Sequence, residues 1–146
     1  MTKHIWYLKS FLLLTGILGI FVFFSFVRAE EIDMNIIARI ESSSNPFAYN
    51  PRTKATGLYQ ITPICLKEFN QYKKKNYTLF SLFNPKRNYE VANWYMNIRI
   101  PQMLKYYGKE DTIINRLICY NAGISYVVNN LPLKKETREY IEKYFN

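Results

Sequence analysis

The 146-residue chain is 49% hydrophobic and 21% charged, with 5 Gly and 6 Pro, which excludes a low-complexity or disordered polymer and leaves room for one domain. Its formal charge of +9 suits an anionic partner, whether nucleic acid, a membrane surface or a bacterial wall. His4 is the only histidine and Cys65 and Cys119 the only cysteines, so the chain beyond residue 4 excludes a Ser-His-Asp triad, a Cys-His pair and a histidine-bound zinc site.

Lys3, His4 and Lys9 precede an uncharged apolar run from Phe11 to Val27, and Val27-Arg28-Ala29 then offers the residues a signal peptidase reads. Residues 1–29 are expected to be a signal peptide or an N-terminal membrane anchor, the run being long for the first and short for the second. Either way residues 30–146 are expected to be exported to the periplasm or cell surface. Membrane contact then comes only through the N-terminal segment, if it stays uncleaved. That segment holds Lys3, Lys9 and Arg28 and no acid, so removing its three charges leaves the exported part at +6. Export also separates this basic domain from nucleic acid.

Further along, Ile32, Ile36, Ile37 and Ile40 recur at helical spacing, which predicts a helix over 31–43 with Glu41 near its C-terminal end, one position past the apolar stripe. The stretch from Ser44 to Ile61 reads as a long functional loop with short strands. Thr62-Pro63 begins a helix reaching Tyr72, and Lys73-Lys74-Lys75 forms its solvated end. Asn84-Pro85 opens a long helix toward Tyr107, kinked near Pro101 and closed by Gly108. Asp111 is expected to cap a helix that ends at Tyr120-Asn121-Ala122-Gly123. A short helix over 124–129 and a final one over 136–145 follow, the last placing Tyr140, Ile141, Tyr144 and Phe145 on one face. The expected fold is a single, mainly α domain of α+β lysozyme-like type. Cys65 and Cys119 allow one disulfide or two buried thiols.

Four blocks in order carry a resemblance. They are Glu41-Ser42 with Asn45-Pro46, Ala48, Gly57-Leu58-Tyr59-Gln60-Ile61 and Pro63; Phe83-Asn84-Pro85 with Asn88 and Trp94-Tyr95; Cys119-Tyr120-Asn121-Ala122-Gly123; and Glu136-Thr137-Arg138-Glu139-Tyr140. Together they resemble the catalytic domain of the soluble lytic transglycosylase family, related in fold to goose-type lysozyme. Tyr59 stands where that family has Met, Cys119 where it has Ala, and Ala92 where Gly is common.

The resemblance implies cleavage of the MurNAc-GlcNAc β-1,4 bond of peptidoglycan glycan strands, leaving 1,6-anhydro ends, without metal or cofactor. Glu41 would be the single general acid and base. Ser42, Tyr59, Gln60, Tyr120, Asn121 and Tyr140 would form the substrate site: Gln60 and Asn121 bonding sugar or acetamido groups, Tyr120 and Tyr140 lining the cleft near Glu41 and helping to orient its carboxyl, and Ser42 supporting the Glu41 loop. Tyr59 would line the subsite where the family places Met. The residues themselves agree with one-carboxylate chemistry, since no second acid close to Glu41 in sequence belongs to a motif. A substrate hydroxyl replaces the second carboxylate that most glycosidases need. Two rivals are a lysozyme-type muramidase and a non-catalytic wall-binding protein of a secretion apparatus. Small members of the family suggest local gap-making for a secretion, conjugation or flagellar apparatus.

Overall fold

The computed structural model describes residues 31–146, and the expected signal or anchor of residues 1–29 lies outside them. No helix among the described residues is long and apolar enough to cross a membrane. The fold is mainly helical, as the periodicity and cap residues predict.

The first helix, α1 (Met34–Ser42), starts later than expected because the Asp33 side chain accepts from the Asn35 amide and fixes the N-terminus there. Ile32 and Ile37 occupy the two positions of a hydrophobic staple around that cap, and both are buried. The Asp33 amide also donates to the Tyr144 hydroxyl at 2.9 Å, tying the start of α1 to the last helix.

The loop that follows contains two isolated antiparallel bridges, Tyr49 with Thr56 and Thr56 with Ile61, where short strands were expected. Asn45-Pro46 and Asn50-Pro51 explain the difference. Both Asn side chains accept from backbone amides two residues on, which closes local turns and prevents a ladder from extending. Thr62 caps α2 (Pro63–Lys73), with Pro63 at its first position. Lys73, Lys74 and Lys75 are exposed at its end.

After a 3-10 turn over Phe80–Phe83, Asn84 caps α3 (Pro85–Trp94) by accepting from the Lys86 and Arg87 amides. The expected kink is a π-helical segment, Tyr95–Arg99, in which the Ile100 amide reaches back to the Tyr95 carbonyl. Pro101 supplies the reason, since its ring removes a donor and crowds the preceding turn. The helix resumes as α4 (Ile100–Tyr106) and ends before Gly108, whose φ of 62° suits glycine.

Thr112, rather than Asp111, caps α5 (Ile113–Ala122) by accepting from the Asn115 amide. Asp111 is held away by the buried Arg116, whose Nε and Nη2 donate to its two carboxylate oxygens at 2.6 and 2.7 Å. Two further helices, α6 (Ile124–Val128) and α7 (Lys135–Phe145), complete the described residues. Tyr140 and Tyr144 are buried on α7, but Phe145, its last residue, is 58% exposed and leaves the expected shared face.

The helix α5 packs on both α6 and α7, α1 packs on α7, and α2 on α3. Phe69, Leu82, Val91, Met96, Ile100, Leu104 and Leu117 are fully buried between them. Burial of each such side chain stabilises the fold by about 1.5–3 kcal/mol. Cys65 and Cys119 are both buried free thiols.

Candidate active site

Glu41 lies in the last turn of α1, and the packing of α1 on α7 brings it to Tyr140. The Tyr140 hydroxyl donates to Oε1 of Glu41 at 2.9 Å. Burial pushes the Glu41 carboxyl up from 4.5 to about 7; the Tyr140 hydrogen bond partly opposes this, and the negative charge of Glu136 adds to it. Glu41 also sits at the C-terminal, negative end of the α1 dipole, which works in the same upward direction. The group is therefore about half protonated at neutral pH and can both give and take a proton.

The backbone beside Glu41 is unusual. Ser43 and Ser44 hold φ values of 53° and 60°, consecutive left-handed positions that suit glycine better. Their amides close the helix by donating to the Arg39 and Ala38 carbonyls.

Ser42 donates to the Leu58 carbonyl at 2.8 Å, so it pins the Gly57–Gln60 turn to α1. Asn88 fixes the same turn from α3: its Oδ1 accepts from the Tyr59 amide, and its Nδ2 donates to the Thr56 and Leu82 carbonyls. This side chain is fully buried, and both of its amide hydrogens and its carbonyl oxygen have partners. Gly57 is required for that contact. A Cβ there would stand 2.2 Å from Asn88 Nδ2 and 2.6 Å from the Leu82 carbonyl oxygen, at a φ of 79°. Tyr120 provides the third tie, its hydroxyl donating to the Tyr59 carbonyl at 2.8 Å.

Tyr120 links the acid to a cavity. Burial raises its phenol well above the usual range, with the Glu41 charge the next cause, and its ring packs edge-on against Tyr95 at 5.9 Å. Gln60, Tyr95, Tyr120 and Glu68 help to line a cavity of about 180 Å³. Gln60 gives its Nε2 to the Gly57 carbonyl at 3.0 Å, which leaves its Oε1 to accept from a ligand.

Of the seven residues singled out in the sequence, Glu41 and Tyr140 are in direct contact, while Tyr120 and Gln60 share one cavity wall. Asn121 is half-buried beside Tyr120 at the end of α5. Tyr59 differs from expectation. Its side chain is 5% exposed and packs toward Tyr89, while its backbone amide and carbonyl are held by Asn88 and Tyr120. The positioning role of Asn88 went unassigned in the sequence. Its signal was a polar residue in register with Val91 and Ala92 on the apolar stripe of α3, where only a satisfied amide is tolerated.

Comparison with curated proteins and with solved structures found no match. The family model of the transglycosylase SLT domain matches residues 29–143, well over half of the chain. The chain belongs to the family of transglycosylase SLT domains, whose members act on the peptidoglycan of the bacterial cell envelope.

Proposed function

We propose that the protein is a lytic transglycosylase that cuts the MurNAc-GlcNAc β-1,4 bond of peptidoglycan, with Glu41 as its single acid and base. Protonated Glu41 gives its proton to the glycosidic oxygen as the bond from that oxygen to C1 breaks. The C6 hydroxyl of the same muramyl residue attacks C1, and the Glu41 carboxylate takes the hydroxyl proton. The product is a 1,6-anhydro end, no water is consumed, and Glu41 is regenerated in its starting form.

The observation that carries this reading is the Glu41 carboxyl raised to about 7 by burial while Tyr140 holds one of its oxygens. An acid that must donate and then accept works best with a pKa near the ambient pH. The intramolecular hydroxyl supplies a nucleophile with an effective molarity that reaches about 10⁵ M in well-oriented cases, so no second carboxylate has to activate water.

In this proposal Tyr140 orients the acid, and Tyr120 and Gln60 border the sugar. Asn121 bonds an acetamido or hydroxyl group. Ser42 and the Tyr59 backbone hold the Gly57–Gln60 turn at its place beside α1. Residues 1–29 export or anchor the catalytic domain of residues 30–146. Service to a secretion, conjugation or flagellar apparatus rests on the family resemblance alone.

The lysozyme-type alternative is favoured by one observation, that the Glu41 carboxyl feels the negative charge of Glu136, because a hydrolase needs a second acid to position water. Mass analysis of the fragments released from murein decides between the two. Fragments lighter by one water than reducing-end sugars support the transglycosylase, and reducing-end fragments support the hydrolase.

A further inference from the structure

We propose that Arg99, oriented by Glu68, binds a carboxylate of the peptide stem that the glycan strand carries. This rests on the reading of the Glu41 cleft as a peptidoglycan site and adds to it the recognition of a second part of the same substrate.

The Arg99 Nε donates to Glu68 Oε2 at 2.9 Å, with both side chains more than a third exposed. An exposed ion pair of this kind contributes little to stability, so its position is the more informative property. Glu68 belongs to the wall of the cavity that holds Gln60 and Tyr120, and also to the wall of a second hollow of about 490 Å³. Arg99, Gln71, Gln102 and Trp94 line that second hollow. The ion pair therefore stands at the border between the cavity lined by Gln60 and Tyr120 and a neighbouring polar hollow.

The chemistry of the border selects the peptide over the sugar. Sugar rings of the glycan strand are neutral and need hydrogen bonds and ring faces. The charges of the polymer sit on the peptide attached to the muramyl lactyl group, next to the bond that is cut. Arg99 uses its Nε on Glu68, which fixes the plane of the guanidinium and leaves its two terminal nitrogens for a further acceptor. A carboxylate fits such a planar fork better than any neutral group does. The π-helical segment that ends at Arg99 carries both Tyr95 of the first cavity and Arg99 of the second hollow, so one irregular turn of helix serves both spaces.

The test uses the full-length chain and two preparations of murein sacculi, one native and one with its peptide carboxyls converted to amides. Binding is measured by co-sedimentation in the Glu41→Gln background, so that the sacculi stay intact. The expected result is roughly tenfold weaker binding to amidated than to native murein, the loss of one charge-assisted contact. Adding Arg99→Gln lowers binding to native murein to the amidated level and abolishes the difference. Lys86→Gln, which removes an equal charge from an exposed position on α3, leaves the difference intact. Equal binding to the two mureins, or a preference that survives Arg99→Gln, overturns the proposal. The underlying reading fails separately: a wild-type chain that binds native murein but releases no fragments from it is no transglycosylase, whatever Arg99 does.

Discussion

The hydroxyl of Tyr140 and Oε1 of Glu41, separated by 99 positions in the chain, meet at 2.9 Å and oppose the effect of burial on the same carboxyl. Burial favours the neutral acid, whereas the phenol donates to the carboxylate and favours the charged form. Their balance near 7 defines the first prediction. In Tyr140→Phe the opposing contribution is removed, so the Glu41 pKa rises further. The alkaline limb of the pH–rate profile should move to higher pH, while the maximal rate falls roughly 10- to 100-fold because the carboxyl loses an orienting bond to a charged group. Murein digestion followed across pH 5–9 checks both effects, and an unmoved alkaline limb contradicts them.

Stability carries the same signature. A carboxyl whose folded pKa lies above its unfolded value stabilises the fold fully below the unfolded value, near 4.5, and that contribution is lost as pH rises through the folded value, near 7. Glu41→Gln should therefore be more stable than the parent at pH 8, by at most about 3 kcal/mol, and nearly equal to it at pH 4. Urea denaturation at the two pH values reads this out. A variant destabilised at pH 8 would mean that the Glu41 carboxylate is better accommodated than its burial implies.

Asn88 is expected to matter through the Gly57–Gln60 turn. Asn88→Ala leaves the Tyr59 amide and the Thr56 and Leu82 carbonyls buried without that partner, at a cost of about 3 kcal/mol or more. Gly57→Ala forces a methyl group into Asn88 and should destabilise by a similar amount. Because both changes disturb the same contact, the double variant should be less destabilised than the two single losses added together. Thermal or urea unfolding of the three proteins tests this, and strict additivity would contradict the shared contact.

The two cysteines give a chemical prediction. Burial raises the thiols of Cys65 and Cys119 to about 12, so neither is a thiolate near neutral pH. Both should resist alkylation in the folded protein and react once it is unfolded, as counted by intact-mass measurement. An oxidised protein that gains no label even when unfolded would instead contain the disulfide.

Much of this architecture was legible because local chemistry and tertiary packing agree. Thr62-Pro63 and Asn84-Pro85 announce helix starts with a cap and a proline, and the structure places α2 and α3 there. Asp111 misled because a side chain that can cap a helix can also pair with an arginine, and only the fold brings the buried Arg116 to it. Tyr59 misled for a related reason. Sequence position aligned it with a cleft residue, while a large ring beside Gly57 finds more apolar surface in the core than in the groove. Glu41 and Tyr140 were legible as motif residues, and the resemblance implied that Tyr140 helps to orient the Glu41 carboxyl, but the geometry of their contact depends on the packing of α1 against α7. The border position of Glu68 and Arg99 depends in the same way on how α2 meets the π-helical turn.

The most direct test of the central claim compares muropeptides released from purified murein by the wild-type chain and by Glu41→Gln at pH 6, where the acid is mostly protonated. The wild-type chain should release 1,6-anhydro fragments and the variant none. Anhydro fragments released equally by Glu41→Gln, or no fragments from the wild-type chain, would contradict that claim.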